Sequence, residues 1–339
     1  MTAITESDVI RCRVRLRNPF TVLDLPLLSR LHRAAFRHRR RLSKRFAGKP
    51  AKRLFRMMLR LGARGTGLVR LTTASGSRDI AFNARNTQFG ALYLPQNHPV
   101  YEAETSALLE RLAPLSGVFY DIGANWGWYS LLLATRPGFD GSIHAFEPFP
   151  PTFADLASVV RQAELDGRIH CHDIALADRE GTAEMAPSDG VQSGLARLGE
   201  GGGTSVRLAP LDALGLPDPD TIKIDAEDHE LDVLQGAAQL IARARPFIVF
   251  ENWLHGDNPD LTLDPIRLLA KSGYRFFFPG WVERTAPDCI VTSHTPPDGA
   301  EPVLALVPFL PEQRFQLPSQ LNIVAVPVER GGEFASRFA

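Results

Sequence analysis

The stretch FYDIGANWGWYS, Phe119 to Ser130, decides the fold. An apolar run ends in a turn carrying Asp121, Gly123, Ala124, Asn125 and Gly127, and the helical pattern WYSLLLAT follows it. In an open parallel sheet, ligands bind beyond the carboxyl ends of the strands, where the strand order switches. Glycines at such an end let the backbone turn tightly and approach a ligand where a Cβ would collide. A dinucleotide site favours G-x-G-x-x-G, whose second glycine admits a pyrophosphate. Here Asp121 stands two residues ahead of the first glycine, and a carboxylate there repels pyrophosphate and attracts a cation. An amino-acid ammonium or a sulfonium meets that requirement, and an NAD-dependent oxidoreductase does not.

Outward from this turn, strand-like runs recur at 142–146, 168–172, 221–225, 247–251, 274–278 and 321–326. Helical spacing occupies PTFADLASVVRQAEL, ELDVLQGAAQLIARA and DPIRLLAKS between them. Strand and helix in alternation predict an α/β fold, with a mostly parallel sheet covered on both faces and a last strand that can enter antiparallel. Ahead of the turn, LVRLTT and RDIAFNA read as a hairpin, and YEAETSALLERLAPL (101–115) as a lead-in helix. Residues 187–220 and 280–318 are rich in Gly and Pro and read as lids or surface loops, with Gly201-Gly202-Gly203 a flexible turn. The expected division is a basic, partly helical arm (1–65), a hairpin and helix (66–117), and a main domain (118–339) with its core at 118–255.

IHAFEP ends the second strand and places Glu147 20 residues after Gly127. An acidic residue about that far past the glycines is the ribose-hydroxyl ligand of nucleoside-binding folds. A cationic amino-acid end joined to a ribose describes S-adenosylmethionine (SAM).

The sequence resembles the FkbM-like family of SAM-dependent methyltransferases. DIGANWGWYSLLLA, FEPFPPTFADL, IALADREG, LDAL, IKIDAEDHELDVLQGA and PFIVFE follow the family's order and wording across roughly residues 101–252. The resemblance implies a Rossmann-like class I methyltransferase sandwich, seven-stranded with an antiparallel last strand. It implies Asp121, Gly123, Ala124, Asn125 and Gly127 around the methionine part of SAM, Glu147 on the ribose, and Asp173 and Ile174 near the adenine.

TIKIDAEDHE (221–230) is the second concentration of chemistry. An alcohol acceptor must lose its proton, and a carboxylate or histidine within reach can take it, a gain of roughly 10²–10⁴-fold. Asp225 and Glu227 are the first candidates, with His229 behind them and Lys223 pairing with a strand-end carboxylate. Glu230 and Asp232 complement the dipole of the helix they open. The family usually has glycine where this chain has Asp228. A divalent metal on Asp225, Glu227, Asp228 and Glu251 is an open but unfavoured alternative. Lys223, Glu251, Asn252 and Trp253 border the same cleft as acceptor-binding candidates, as does Ser193 in the lid-like VQSGLARL; Trp253 and Trp281 either stack on a sugar or fill core.

The zero net charge hides an asymmetry. Residues 1–70 hold 19 Lys and Arg against Glu6, Asp8 and Asp24, a net +16 that the remaining residues balance. LLSRLHRAAFRHRRRLSKRF (27–46) and AKRLFRMMLRL (51–61) have amphipathic helical spacing with basic outer faces. Residues 11–64 therefore suit an anionic membrane surface or lipid-linked partner, a docked position on the acidic remainder, or a nucleic acid. The lack of an aromatic stacking platform puts nucleic acid last. Three cysteines without a C-x-x-C pair argue against a disulfide framework or thiolate zinc site. No run of about 18 apolar residues and no apolar signal region occur, so the expected location is cytoplasmic, membrane-peripheral if the arm binds lipid.

The expected activity is SAM-dependent O-methylation of a hydroxyl, on a sugar of a glycan or glycosylated natural product. A methyltransferase of small metabolites or nucleic acid is one alternative. A non-catalytic SAM-binding scaffold is another.

Overall fold

The structure, a computed structural model, describes residues 9–36, 48–187, 196–199, 203–297 and 301–339. The chain opens with β1 (Ile10–Arg13), β2 (Phe20–Asp24), α1 (Leu27–Phe36), α2 (Gly48–Arg60), the hairpin β3 (Thr66–Thr73) and β4 (Gly76–Asn83), and α3 (Ala103–Leu112). The alternating region follows as β5 (Val118–Ile122), α4 (Trp128–Ala134), β6 (Ser142–Phe146), α5 (Pro150–Gln162) and β7 (Ile169–His172). A small sheet intervenes: β8 (Ala175–Leu176), β9 (Gly181–Pro187), β10 (Ala196–Gly199) and β11 (Thr204–Ala209). Then come β12 (Thr221–Ile224), α6 (Glu230–Gln235), α7 (Ala238–Ala244), β13 (Phe247–Trp253), α8 (Pro259–Lys271), β14 (Tyr274–Glu283), β15 (Ala286–Val291), β16 (Val303–Phe309), β17 (Gln320–Pro327) and α9 (Gly331–Ser336).

Five strands run parallel in the order β7-β6-β5-β12-β13, and β17 enters antiparallel between β13 and β14. This order, with its reversal between β5 and β12, is the expected class I methyltransferase architecture. Strand runs such as Phe119–Ile122 and Phe247–Phe250 are buried without interruption because both faces of the sheet are covered. Phe119, Ile143 and Val249 pack with residues of α3, α4 and α5, whereas Tyr120, Ile222 and Ile248 pack with those of α6, α7 and α8. Each fully buried Leu, Ile or Phe contributes on the order of 1.5–3 kcal/mol.

The sheet is larger than the seven strands expected. β14 pairs with β16 as well as β17, β15 adds to β14, and β1 closes the edge on β16, for ten strands in all. Stretches expected as loops thus carry strands: VLALVPF (303–309) is an apolar run set between Pro-rich segments that mask its period. The single helix expected across ELDVLQGAAQLIARA is two, broken at Gly236, where a Cβ would lie 1.9 Å from the Ala177 carbonyl oxygen.

Residues 10–24, expected in a separate arm, are built into both the main sheet and the three-stranded β2-β3-β4 sheet. Arg17 docks its guanidinium on Glu110 at 2.6 Å. The helix expected over 27–46 is seen as α1 to Phe36; residues 37–47, Ser193, and Gly201 and Gly202 lie outside the described residues. The three cysteines are free thiols. Among the described residues no helix is long and apolar enough to cross a membrane.

Candidate active site

Chain order reverses between β5 and β12, so the crevice beyond their carboxyl ends is where a ligand has room. A cleft with about 1070 Å³ of empty space opens there. Gly123, Ala124, Asn125, Glu147, Ile174, Lys223, Asp225, Glu227 and His229 line it together.

The turn after β5 is braced by the chain itself. Asp121 is fully buried and does not line the cleft. Its Oδ2 accepts the backbone N–H of Ser130 at 3.1 Å and the Ser130 hydroxyl at 2.7 Å, clamping the turn onto α4. Its Oδ1 is buried with no hydrogen-bond partner among the described residues. Burial raises the Asp121 pKa, and the charge of Lys223 together with the Ser130 bonds works against that rise. Gly123 has φ +72°, and a Cβ on it would lie 1.8 Å from the Asp225 carbonyl oxygen. Gly127 has φ +94°, and its Cβ would meet Leu156 Cδ1 at 2.7 Å. Gly123 is therefore required by a backbone atom of the protein itself, and Gly127 chiefly by its left-handed φ, where the sequence suggested a ligand.

Glu147, at the end of β6, accepts the backbone N–H of Asn125 at 3.1 Å and that of Phe149 at 3.0 Å. The carboxylate expected on a ribose also ties the two strand-end turns together. Burial pushes its pKa up to about 7, against the two backbone bonds that favour the charged form. Ile174, with Ala175, Leu176 and Met185 of the small sheet, supplies an apolar wall. Asp173 is exposed and outside the lining, next to Ile174, which is within it.

The turn after β12 holds charge differently. Lys223 is only 4% exposed; its ammonium lies 3.1 Å from Asp225 Oδ2 and 5.2 Å from the centre of the Tyr129 ring. Burial opposes its charge, yet Asp225, Asp121 and Glu102 together raise its pKa. Glu227 and Asp228 have φ +50° and +78°, conformations that favour glycine, which explains the family's usual residue at the second position. Asp228 reaches His255 Nε2 at 3.2 Å. His229 lines the cleft with its Nδ1 2.9 Å from Asp232 Oδ2, so Asp232 does more than complement a helix dipole. Glu230 likewise accepts the Ala226 backbone N–H at 2.9 Å. Among the described residues no group of three or more His, Cys, Asp or Glu converges as metal ligands.

At the end of β13 the expected acceptor residues diverge. Glu251 accepts the Gln320 amide at 2.5 Å, and burial together with the charge of Asp225 pushes its pKa up to about 8. Asn252 is corrected outright: it is buried, its Oδ1 accepts Arg314 Nε at 2.6 Å and its Nδ2 donates to the Thr262 carbonyl, so it is a structural anchor. Trp253 is 40% exposed at the strand end, while Trp281 is fully buried and donates to the Ser293 carbonyl, a core residue.

Sequence reasoning missed the aromatic wall. Trp126 and Trp128 line the cleft; Trp126 donates Nε1–H to the Gln88 carbonyl and stacks on Phe89 at 4.7 Å. Tyr101, Gln88 and Tyr129 also line it, and Tyr129 donates its hydroxyl to Glu102 at 2.5 Å. The signal was present in WGWYS, where three aromatics crowd the first turn of a helix that opens on the cleft.

Comparison with known proteins bears on this site. Residues 121–276 match the methyltransferase FkbM domain family. Hexuronic acid methyltransferase AglP of Haloferax volcanii is 27% identical over 165 residues, which are 48% of this chain and 66% of that protein. Methyltransferase FkbM from Methylobacillus flagellatus KT has a TM-score of 0.37 at 21% identity, covering 56% of this chain and 43% of that one. The O-methyltransferase from Bacillus cereus in complex with SAH has a TM-score of 0.34 at 15% identity, covering 60% and 78%. The chain thus spans just under two thirds of the curated relative and less than half of the Methylobacillus protein.

Proposed function

Since residues 121–276 match the methyltransferase FkbM domain family, we propose that this chain transfers a methyl group from SAM to a hydroxyl, with a saccharide as the acceptor. One observation carries the reading. The Glu147-braced turn and the Lys223–Asp225 pair, from strands on either side of the switch point, open into one cleft.

The residues present suit SAM. The Gly123–Asn125 turn faces the methionine part, Glu147 the ribose hydroxyls, and Ile174 with its apolar neighbours the adenine. The Asp121 oxygen that has no partner among the described residues adds negative potential beneath the turn. SAM, when bound, supplies the methyl group as an electrophile.

The chain's own residues hold the acceptor and take its proton. Asp225 is oriented by Lys223 and receives the hydroxyl proton; His229, held by Asp232, is the second base. Trp253 offers an exposed aromatic face to a sugar ring, and AglP, which acts on a hexuronic acid by its name, supports a saccharide acceptor. In-line approach to within about 3–3.5 Å is what the positioning must achieve.

The test has two stages. Calorimetry with SAM, beside Glu147→Ala and with NAD as control, should give micromolar binding that the substitution weakens. SAH release on a panel of free and glycosylated acceptors should then depend on a saccharide hydroxyl. No SAM binding at millimolar ligand by the folded protein would sink the reading.

A further inference from the structure

The helix α2 has two apolar faces, and only one of them is buried. Phe55 and Leu59 are 4% and 1% exposed; Phe55 stacks on His32 of α1 at 4.9 Å. Arg85 donates to the Leu59 and Ala63 carbonyls and fixes the carboxyl end of the helix to the fold. Leu54, Met57 and Leu61 lie on another side, 41%, 51% and 77% exposed. Their three- and four-residue steps put them on one stripe along the helix.

Beside that stripe runs a cationic one. Lys52, Arg53, Arg56 and Arg60 are all exposed, and none is paired with a carboxylate among the described residues. Between Asp24 and Asp79 the sequence has no acidic residue and 16 Lys or Arg. A solvated helix face has no need of a contiguous apolar stripe, and a phosphate-binding face would leave that stripe in water. An interface that meets both at once offers anionic headgroups above a hydrocarbon layer.

We propose that α2 docks this protein on an anionic lipid surface, with Leu54, Met57 and Leu61 entering the headgroup–acyl boundary and Lys52, Arg53, Arg56 and Arg60 on the headgroup phosphates. The inference does not depend on methyl transfer. It does put the cleft close to the surface, because α1, which packs on α2, also packs on the turn at Thr87–Leu92, whose Gln88 lines the cleft.

Flotation of the full-length chain with vesicles of equal phosphatidylcholine and phosphatidylglycerol, against pure phosphatidylcholine, tests it. The mixed vesicles should bind about tenfold tighter or more, and raising the salt should erode that preference. Replacing Lys52, Arg53, Arg56 and Arg60 by Gln should abolish it. The triple variant Leu54→Ser, Met57→Ser, Leu61→Ser keeps every charge and should also lose about tenfold. All these side chains are exposed, so both variants should melt with wild type, and the salt series on wild type needs no variant. Equal binding to neutral and anionic vesicles overturns the proposal. Full retention of binding by the serine variant, with RNA shifted in a gel at similar concentration, overturns it in favour of a polyanion. Self-association that the serine variant abolishes, without vesicle binding, overturns it in favour of a second copy of the chain.

Discussion

After β5 the chain turns through Gly123 and Gly127 at positive φ, and the polar side chains there brace the backbone: Asp121 on Ser130, Glu147 on Asn125 and Phe149. After β12 it also turns at positive φ, but through Glu227 and Asp228, and the titratable side chains meet one another: Lys223 with Asp225, Asp228 with His255, His229 with Asp232. A left-handed conformation costs a non-glycine residue about 1–2 kcal/mol. The first turn limits that cost by placing glycine at two of its three left-handed positions, Asn125 at +51° being the third, and spends its carboxylates on architecture. The second accepts the cost and presents its carboxylates at the cleft, which is where strain of this kind accompanies function. One strand end is therefore a preformed cradle and its neighbour a set of reactive groups.

The sharpest way to break this contrast is to neutralise the second turn without touching the first. Asp225→Asn should lower the methyl-transfer rate roughly 10²–10⁴-fold. SAM affinity should stay within about threefold, since the loss is confined to a transition-state interaction. SAH formation and calorimetry on the same preparation read the two quantities. An unchanged rate would move the base elsewhere, with His229 next; an equal loss of SAM affinity would erase the division of labour.

The converse substitution strikes the cradle. Gly123→Ala adds a Cβ 1.8 Å from a backbone oxygen of the other turn and keeps φ at +72°, so the backbone itself must shift. The expected cost is about 3 kcal/mol or more of stability, from the combined strain and overpacking. Urea denaturation measures it. A loss below about 1 kcal/mol would mean that the two turns are not packed against each other as described.

Both turns were legible in the sequence because period and punctuation are local. The uninterrupted apolar run at 118–122 and the glycines behind it announce a buried parallel strand and a tight turn; IKIDAEDHE announces a charged strand end. What Gly123 clears, however, is the carbonyl of Asp225, about a hundred positions away, and no local pattern carries that distance. Asn252 failed for the same reason: its partner, Arg314, is 62 positions on, and an amide at a strand end looks alike whether it faces a ligand or an arginine. β1 was missed although RCRVRLR alternates with the period of a half-buried strand; its arginines read as part of a charged arm, and only pairing with β16 decides strand over arm.

A smaller effect sharpens the electrostatic side of the contrast. Glu251 is held up to about 8 by burial and by Asp225, so in the unfolded chain it ionises at much lower pH than in the folded protein. Its contribution favours the fold while protonated and is lost as pH rises through about 8. Relative to wild type, Glu251→Gln should therefore gain roughly 1–3 kcal/mol of stability between pH 6 and pH 9. The pH trend of the difference carries the test, whatever constant offset the Gln320 contact adds. A flat difference across that range would mean that burial and the charge at Asp225 do not hold Glu251 protonated.

The smallest effect is the most telling. Asp228→Gly relieves a φ of +78° but adds backbone freedom to the unfolded chain and removes a partly exposed contact to His255. These terms are each about 1 kcal/mol or less and oppose one another, so stability should change by less than about 1 kcal/mol. Methyl transfer to the true acceptor should nevertheless fall, because a glycine keeps the turn and deletes the carboxylate. Equal stability with reduced turnover would assign Asp228 to the acceptor. Unchanged turnover would mark it as a neutral replacement of the family's glycine, and would leave Asp225, Glu227 and His229 as the groups that separate this turn from the cradle beside it.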